Sequence, residues 1–203
     1  MSKVEQRALS SKNVPAGRVK VTLLVHLRAF ARDAFGDAGW ERLLARTLAE
    51  DRAVLDGLLL VGGWVPIGIW NRAIEAFLTE NYPDPTEATG TFAHFVADRD
   101  LHSLFRLALK MGTPDFVLGR TTSLYNRYFE AGDFAPQKIA ARHWLATLTA
   151  PQHEDQGPST FTCDAGVCAW LRRALELSGA RPTVVHSKCR FRRSPHCQYD
   201  VTW

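Results

Sequence analysis

Apolar residues recur three and four apart along RVKVTLLVHLRAFARDAFGDAGWERLLARTLAE (residues 18–50), first at Leu23, Leu27, Phe30 and Ala31, then at Leu43, Leu44 and Leu48. That is the period of a helix with one buried face, and Gly36 interrupts it, so the segment predicts two amphipathic helices. Pro66 stands where a first helical turn accepts a proline, and IGIWNRAIEAFLTENY carries the helical period on until Pro83 and Pro85 end it. TGTFAHFVADRDLHSLFRLALKMG predicts one or two helices closed at Gly112. After Pro114, TTSLYNRYFEAG predicts another, with Gly132 as its stop.

The period then changes. KIAARHWLATLTA alternates as a strand does, the polar loop PQHEDQGPST follows, and CDAGVCAWLRRALELSGA reads as a helix closed by Gly179. PTVVHSKCRF and CQYDVTW predict two strands around the tip RRSPH. In the last strand Cys197, Tyr199, Val201 and Trp203 share one face, so one face is buried. The predicted fold class is α+β: a helical layer packed on a small antiparallel sheet, ending in a C-terminal β-hairpin. A polar, flexible N-terminal segment (1–17) precedes a single domain (18–203).

Composition narrows the function classes. The chain has 203 residues, 46% hydrophobic and 23% charged, as in ordinary globular proteins. Its formal net charge of +4 is too small to imply nucleic acid, and the densest basic run, Lys188, Arg190, Arg192 and Arg193, reads as a solvated hairpin tip. The opening MSKVEQRALSSKNVPAG lacks the apolar core of a secretory signal. GLLLVGGWVPIGIW (57–70) is broken by glycines and a proline and falls short of the roughly 20 residues a membrane span needs. A cytoplasmic protein is expected, with that run as core or pocket wall.

The chemistry concentrates at the C-terminus. If the terminal hairpin pairs about its tip, Cys189 and Cys197 are cross-strand neighbours, and a bulge would bring His186 to the same point. Cys163, at the start of the preceding helix, could supply a fourth ligand. Such a three-thiolate, one-imidazole shell suits tetrahedral zinc and leaves no open position, which makes the ion structural. Cys168, five residues on, falls off that face. The spacing alone leaves open a Cys189–Cys197 disulfide or unrelated thiols, and His196 competes with His186 as nitrogen ligand.

The stretch CDAGVC…VVHSKCRFRRSPHCQYDVTW resembles the end of the 4-vinyl reductase domain, a bacterial and archaeal small-molecule-binding domain found in aromatic-responsive transcription activators. In that family a cysteine opening this helix, an acidic residue and two further cysteines hold zinc. The resemblance implies Zn2+ on Cys163, His186, Cys189 and Cys197, with His186 standing where the activators have glutamate. The middle of the chain, from GGWVPIGIWNRAIEAF to YNRYFEAGDFAPQKIAARHWLATLT, is similar to an uncharacterised bacterial family related to haem-nitric-oxide-binding domains. Together these imply a hydrophobic ligand cavity between helices and sheet, and often a dimer. Aromatic residues on the inward segments, Trp64, Trp70, Phe105, Tyr125, Phe129, His143 and Trp144, are its expected lining.

The resulting expectation is a sensor or adaptor domain that binds a small apolar or aromatic molecule and signals through a protein partner or a second copy. Catalysis, for instance in tetrapyrrole vinyl reduction, is disfavoured: no GxGxxG, GxSxG, HExxH or P-loop motif is present. Haem-based gas sensing is a further alternative, prompted by His94 and His102 in the helical middle of the chain.

Overall fold

The apolar period of residues 18–50 forms one long helix with a break. In a computed structural model, which describes residues 16–104 and 113–203, β1 (Arg18–Lys20) runs into α1 (Val21–Arg46), and Gly36 at φ +67° divides α1 into two arms. A side chain at that backbone position would meet the carbonyl that precedes it, so the break falls on the residue without one. Leu23, Leu27, Phe30 and Ala31 on the first arm and Leu43 and Leu44 on the second are buried, as the pattern predicts, whereas Leu48 falls past the helix end and is exposed.

α2 (Ala49–Leu55), β2 (Trp64–Pro66), α3 (Ile67–Asn81) and α4 (Pro85–Leu104) follow. Pro66 immediately precedes α3, and β2 pairs antiparallel with β1. Pro85 opens α4, where its missing N–H costs nothing, while the Asp84 carboxylate accepts from the N–H of Thr86 at 2.8 Å. The flexible segment expected at the N-terminus lies largely outside the described residues, as does the helical end expected at Gly112. The apolar run 57–70 divides rather than staying wholly inside. Ile67, Ile69 and Trp70 are buried, but Leu58, Leu60 and Val61 are exposed, because Gly57, Gly62 and Gly63 turn that stretch out as a loop.

α5 (Pro114–Leu118) starts on a Thr113 cap, and α6 (Thr121–Tyr128) ends four residues before Gly132, whose φ of +90° carries the turn into the sheet. The sheet contains β3 (Asp133–Ala140), β4 (His143–Thr149), β5 (Thr183–Lys188) and β6 (Cys197–Thr202), antiparallel throughout in the order β3-β4-β6-β5. KIAARHWLATLTA is therefore not one strand. Its first residues close β3, Arg142 turns at φ +58°, and His143 begins β4. β3 escapes a pattern reading because it is an exposed edge strand that tolerates Pro136, and its turn has no Asn-Gly signal. The terminal hairpin is present, with His186 opposite Tyr199 and an irregularity between His186 and Lys188. Cys197, Tyr199 and Val201 face inward.

Between β4 and β5 the chain crosses to the helical layer through a π turn (Thr162–Gly166) and α7 (Val167–Leu177), which packs on α4 and β5. The loop leading to this turn is tied to α3. Buried Asn71 donates to the carbonyls of Glu154 (2.7 Å) and Gly157 (2.9 Å) and accepts from the Ser159 N–H (3.1 Å). Beside it Arg72 grips the buried Asp51 carboxylate through two contacts, 2.7 and 2.8 Å, and reaches Asp155 at 3.2 Å. These acidic partners raise the Arg72 pKa.

Asn71→Ala should strand three loop groups at once. At about 1 kcal/mol per net hydrogen bond, the loss is about 2–4 kcal/mol, read as a lower urea midpoint at unchanged m.

Candidate functional site

Four helices turn a helical-period stripe toward one space. α3 contributes Trp70 and Ile74, α4 contributes Thr89, Phe92, Ala93 and Val96, and α6 contributes Thr121, Leu124, Tyr125 and Tyr128. α7 adds Val167, Trp170 and Leu171, and Phe129 and Phe134 close the sheet side. The spacings, four on α3 and three, four and seven on α4 and α6, are those of residues on one helix face. What they enclose is an apolar cavity of about 110 Å³. Its walls are ring on ring: Trp70 and Phe92 centroids lie 5.8 Å apart, and Tyr125 stacks on Phe129 at 5.0 Å and on Phe134 at 5.5 Å.

The phenols in this wall are committed donors. Tyr125 O–H donates to the Ala131 carbonyl at 2.6 Å, and Tyr128 O–H donates to the Asp100 carboxylate. Burial pushes both phenols well above their usual pKa, and the Asp100 charge pushes Tyr128 further, so both stay neutral. Asp100 also lies 2.9 Å from Nε2 of buried His26. Burial works to raise the Asp100 pKa, but the hydrogen bonds from His26 and Tyr128 outweigh it and hold the carboxyl below its ordinary range.

Of the aromatic lining expected from sequence, Trp70, Tyr125 and Phe129 face the cavity. Trp64 sits on β2 under the Lys20 ammonium, 4.4 Å from its ring centroid. His143 and Trp144 lie elsewhere on β4: His143 is 3.3 Å from Asp200, and the Trp144 indole donates to Asp115 at 2.6 Å. Phe105 is outside the described residues. Sequence reasoning missed Phe92, Val96, Trp170 and Leu171. Their helical stripes mark them as inward, but periodicity does not distinguish a solid core from a hollow one.

The sulfurs of Cys163, Cys189 and Cys197 lie within 4.8 Å of one another, brought together by the π turn, the end of β5 and the start of β6. The imidazole expected to complete a shell does not join them. Neither His186 nor His196 lies within that distance of all three sulfurs. His186 stacks on Tyr199 with centroids 4.8 Å apart, and its Nδ1 is 2.8 Å from Asp164. Its Nε2 is buried without a hydrogen-bond partner. Hydrogen bonding to Cys197, together with burial, pushes the Cys163 thiol far up, so it keeps its proton. The neighbouring Cys163 thiol overcomes burial and, with the nearby His186 ring and the Arg190 backbone N–H at 3.5 Å, pulls Cys197 down to about 4. Burial opposes a charged His186, yet Cys197 and Asp164 raise its pKa overall. Asp164, His186 and Cys197 thus form a charge-matched array, with the guanidinium of Arg190, 1% exposed, held by the Pro158 carbonyl.

No family model matches the sequence, and no curated protein matches it. Solved structures do. An H-NOX protein from S. oneidensis, in its Fe(II)NO state, superposes with TM-score 0.69 at 12% identity, over 90% of this chain and 97% of that one. An unliganded Fe(II) H-NOX protein from K. algicida gives TM-score 0.68 at 10% identity, over 90% and 95% of the two chains. H-NOX from Shewanella woodyi, in its Fe(II)CO state, gives 0.63 at 13%, over 90% and 93%. At these identities the likeness is one of fold.

That likeness overturns the expected structural Zn2+. The solved domains sharing this fold are described by Fe(II) states, and a further match by the function of heme distortion in the H-NOX family. The 4-vinyl reductase resemblance draws no support from these comparisons either. Within the site no histidine among the described residues lies within 4.8 Å of all three sulfurs, so the expected shell is without its nitrogen.

Haem itself can be tested against the cavity. Among the described residues the lining holds no histidine, cysteine or methionine, and its two phenols are neutral donors already bonded. His94 is on α4, but at 100° per residue it falls about 150° from the midline of the cavity stripe. The side chain of His102 lies outside the described ones. A space of about 110 Å³ is on the scale of the roughly 150 Å³ cavity that takes benzene, not of a porphyrin. The described residues do not fit haem.

The Asp100 cluster sets an acid limit. Its carboxyl pKa is depressed by folding, so its contribution is full above the unfolded value of about 3.9 and is lost as pH falls through the lower folded value. Asp100→Asn should lower thermal stability at pH 7 and flatten its fall between about pH 5 and 2, measured as Tm against pH.

Proposed function

We propose that the chain is a sensor domain on the H-NOX fold that takes a small, largely apolar molecule directly into the interhelical cavity. The observation that carries this reading is the cavity itself, an aromatic-walled hollow built from stripes of α3, α4, α6 and α7. Well-packed cores leave few voids larger than a water molecule, and a dry apolar hollow of this size binds single-ring hydrocarbons. The cavity also lies where helices meet sheet, so filling it bears on how the two layers pack. Differential binding to two such packings is what lets a ligand shift a conformational equilibrium. Its output, in this reading, passes to a protein partner or a second copy. No described helix is long and apolar enough to cross a membrane.

A second reading, gas sensing through haem, is favoured by the likeness to H-NOX structures over 90% of this chain. It requires an axial ligand from a side chain outside the described ones, such as that of His102.

Two measurements separate the readings. Toluene at a hundred times its Kd should raise stability by about 2.7 kcal/mol, or about 5–10 °C in Tm for a chain of this size. Ala93→Phe, which fills the hollow from α4, should abolish that shift. Protein mixed with haem and desalted should retain no Soret absorbance. A stoichiometric Soret band with no toluene response would replace the direct-binding reading with the haem one.

A further inference from the structure

Of the eight large apolar side chains exposed among the described residues, three fall within four consecutive positions. They are Leu58 (87% exposed), Leu60 (64%) and Val61 (56%), in the loop between α2 and β2. Single apolar residues scattered over a surface are ordinary, whereas a contiguous set marks a surface that meets something apolar. Within the run only Leu59 turns inward, to join the core.

The backbone holds the loop in this shape. The Gly63 N–H donates to the Leu60 carbonyl at 2.7 Å and closes a turn. The Thr22 hydroxyl, the Lys20 ammonium and the Val21 N–H then donate to the carbonyls of Val61 (3.1 Å), Gly62 (2.9 Å) and Gly63 (3.1 Å). Four carbonyls that would otherwise need water are satisfied from within, so the tip can leave water without stranding them. At its base Trp64 is half-buried under the Lys20 ammonium, 4.4 Å from its ring centroid. An indole and a long-stemmed cation, each with an apolar body and a polar end, suit a boundary between hydrocarbon and water.

We infer that the 57–64 loop is a lipid-docking tip, seating Leu58, Leu60 and Val61 at the headgroup–acyl boundary of a membrane surface while the rest of the domain stays outside it. Two observations favour a bilayer over a second copy or a protein partner. A leucine 87% exposed stands on a projection, which a deformable bilayer accepts as it is but a protein must match with a hollow. Three aliphatic side chains at roughly 100 Å² each offer on the order of 300 Å², against the roughly 800 Å² per partner of a stable protein interface. From Gly57 to Trp64 no residue is charged, so the attraction is apolar and does not call for anionic lipid. None of this depends on what the cavity holds.

Flotation of the full chain with phosphatidylcholine vesicles tests this. The chain should co-float in proportion to lipid, more weakly than a single myristoyl anchor with its partition constant of about 10⁴ M⁻¹. Binding should be no weaker at high salt, and no stronger when phosphatidylserine is added. Leu58→Ser with Leu60→Ser should lower the partition constant about tenfold or more. Their Tm should stay unchanged, because both side chains are already exposed. Val185→Ser, which removes an apolar side chain exposed on β5, should leave binding as it is. Failure to float would overturn the inference, as would binding that requires phosphatidylserine and vanishes with salt, or that Val185→Ser weakens equally. A dimer that Leu58→Ser dissociates, with no binding to vesicles, would overturn it in favour of a second copy.

Discussion

The attachment of the 151–159 loop to α3 is the constraint on which the site depends. This stretch has no regular structure of its own, and it must deliver the chain from the end of β4 to the start of α7. Asn71 satisfies two of its carbonyls and one of its N–H groups with a single side chain, and Arg72 holds its Asp155. A short amide can do this only when its backbone is fixed, and here α3 fixes it. With the loop so placed, Trp170 comes to line the same hollow as Trp70, and Cys163 comes to lie under the hairpin, where Tyr199 donates to its carbonyl at 2.6 Å.

Much of this architecture was written in local patterns. The apolar stripe of α1 and its break at Gly36, the end of α3 ahead of Pro83, and the inward face of β6 at Cys197, Tyr199 and Val201 all follow from period and punctuation. Hairpin symmetry likewise suggests Cys189 beside Cys197, whereas Cys163 comes to them from the π turn, which no hairpin rule reaches. Edge strand β3 was not legible, since exposed residues carry no alternation and Pro136 reads as a breaker. Nor was the contact between His186 Nδ1 and Asp164, a residue twenty-two positions away with no spacing rule to link them. Of the expected aromatic positions that are described, Trp70, Tyr125 and Phe129 line the cavity and Trp64, His143 and Trp144 do not, because a sequence tells which residues are inside but not where packing falls short.

The H-NOX likeness and the cavity lining point in different directions, and the difference is instructive. A fold fixes which elements surround a hollow, whereas the side chains on those elements decide what the hollow will hold. Here the same layered frame presents tryptophans, phenylalanines and neutral phenols. Tyr128 is tied into a carboxylate and an imidazole, an arrangement that favours its proton staying on oxygen.

The π turn at Thr162–Gly166 has a geometric corollary for α7. A π turn takes in about one more residue than an α turn, and one residue rotates everything downstream by about 100° around the helix axis. The face that α7 shows to the hollow is thus set by an insertion ahead of it, not by α7's own composition. In a chain of the same residues without that extra one, Val167, Trp170 and Leu171 would look toward α7's neighbours, and the hollow would be walled by whatever followed them.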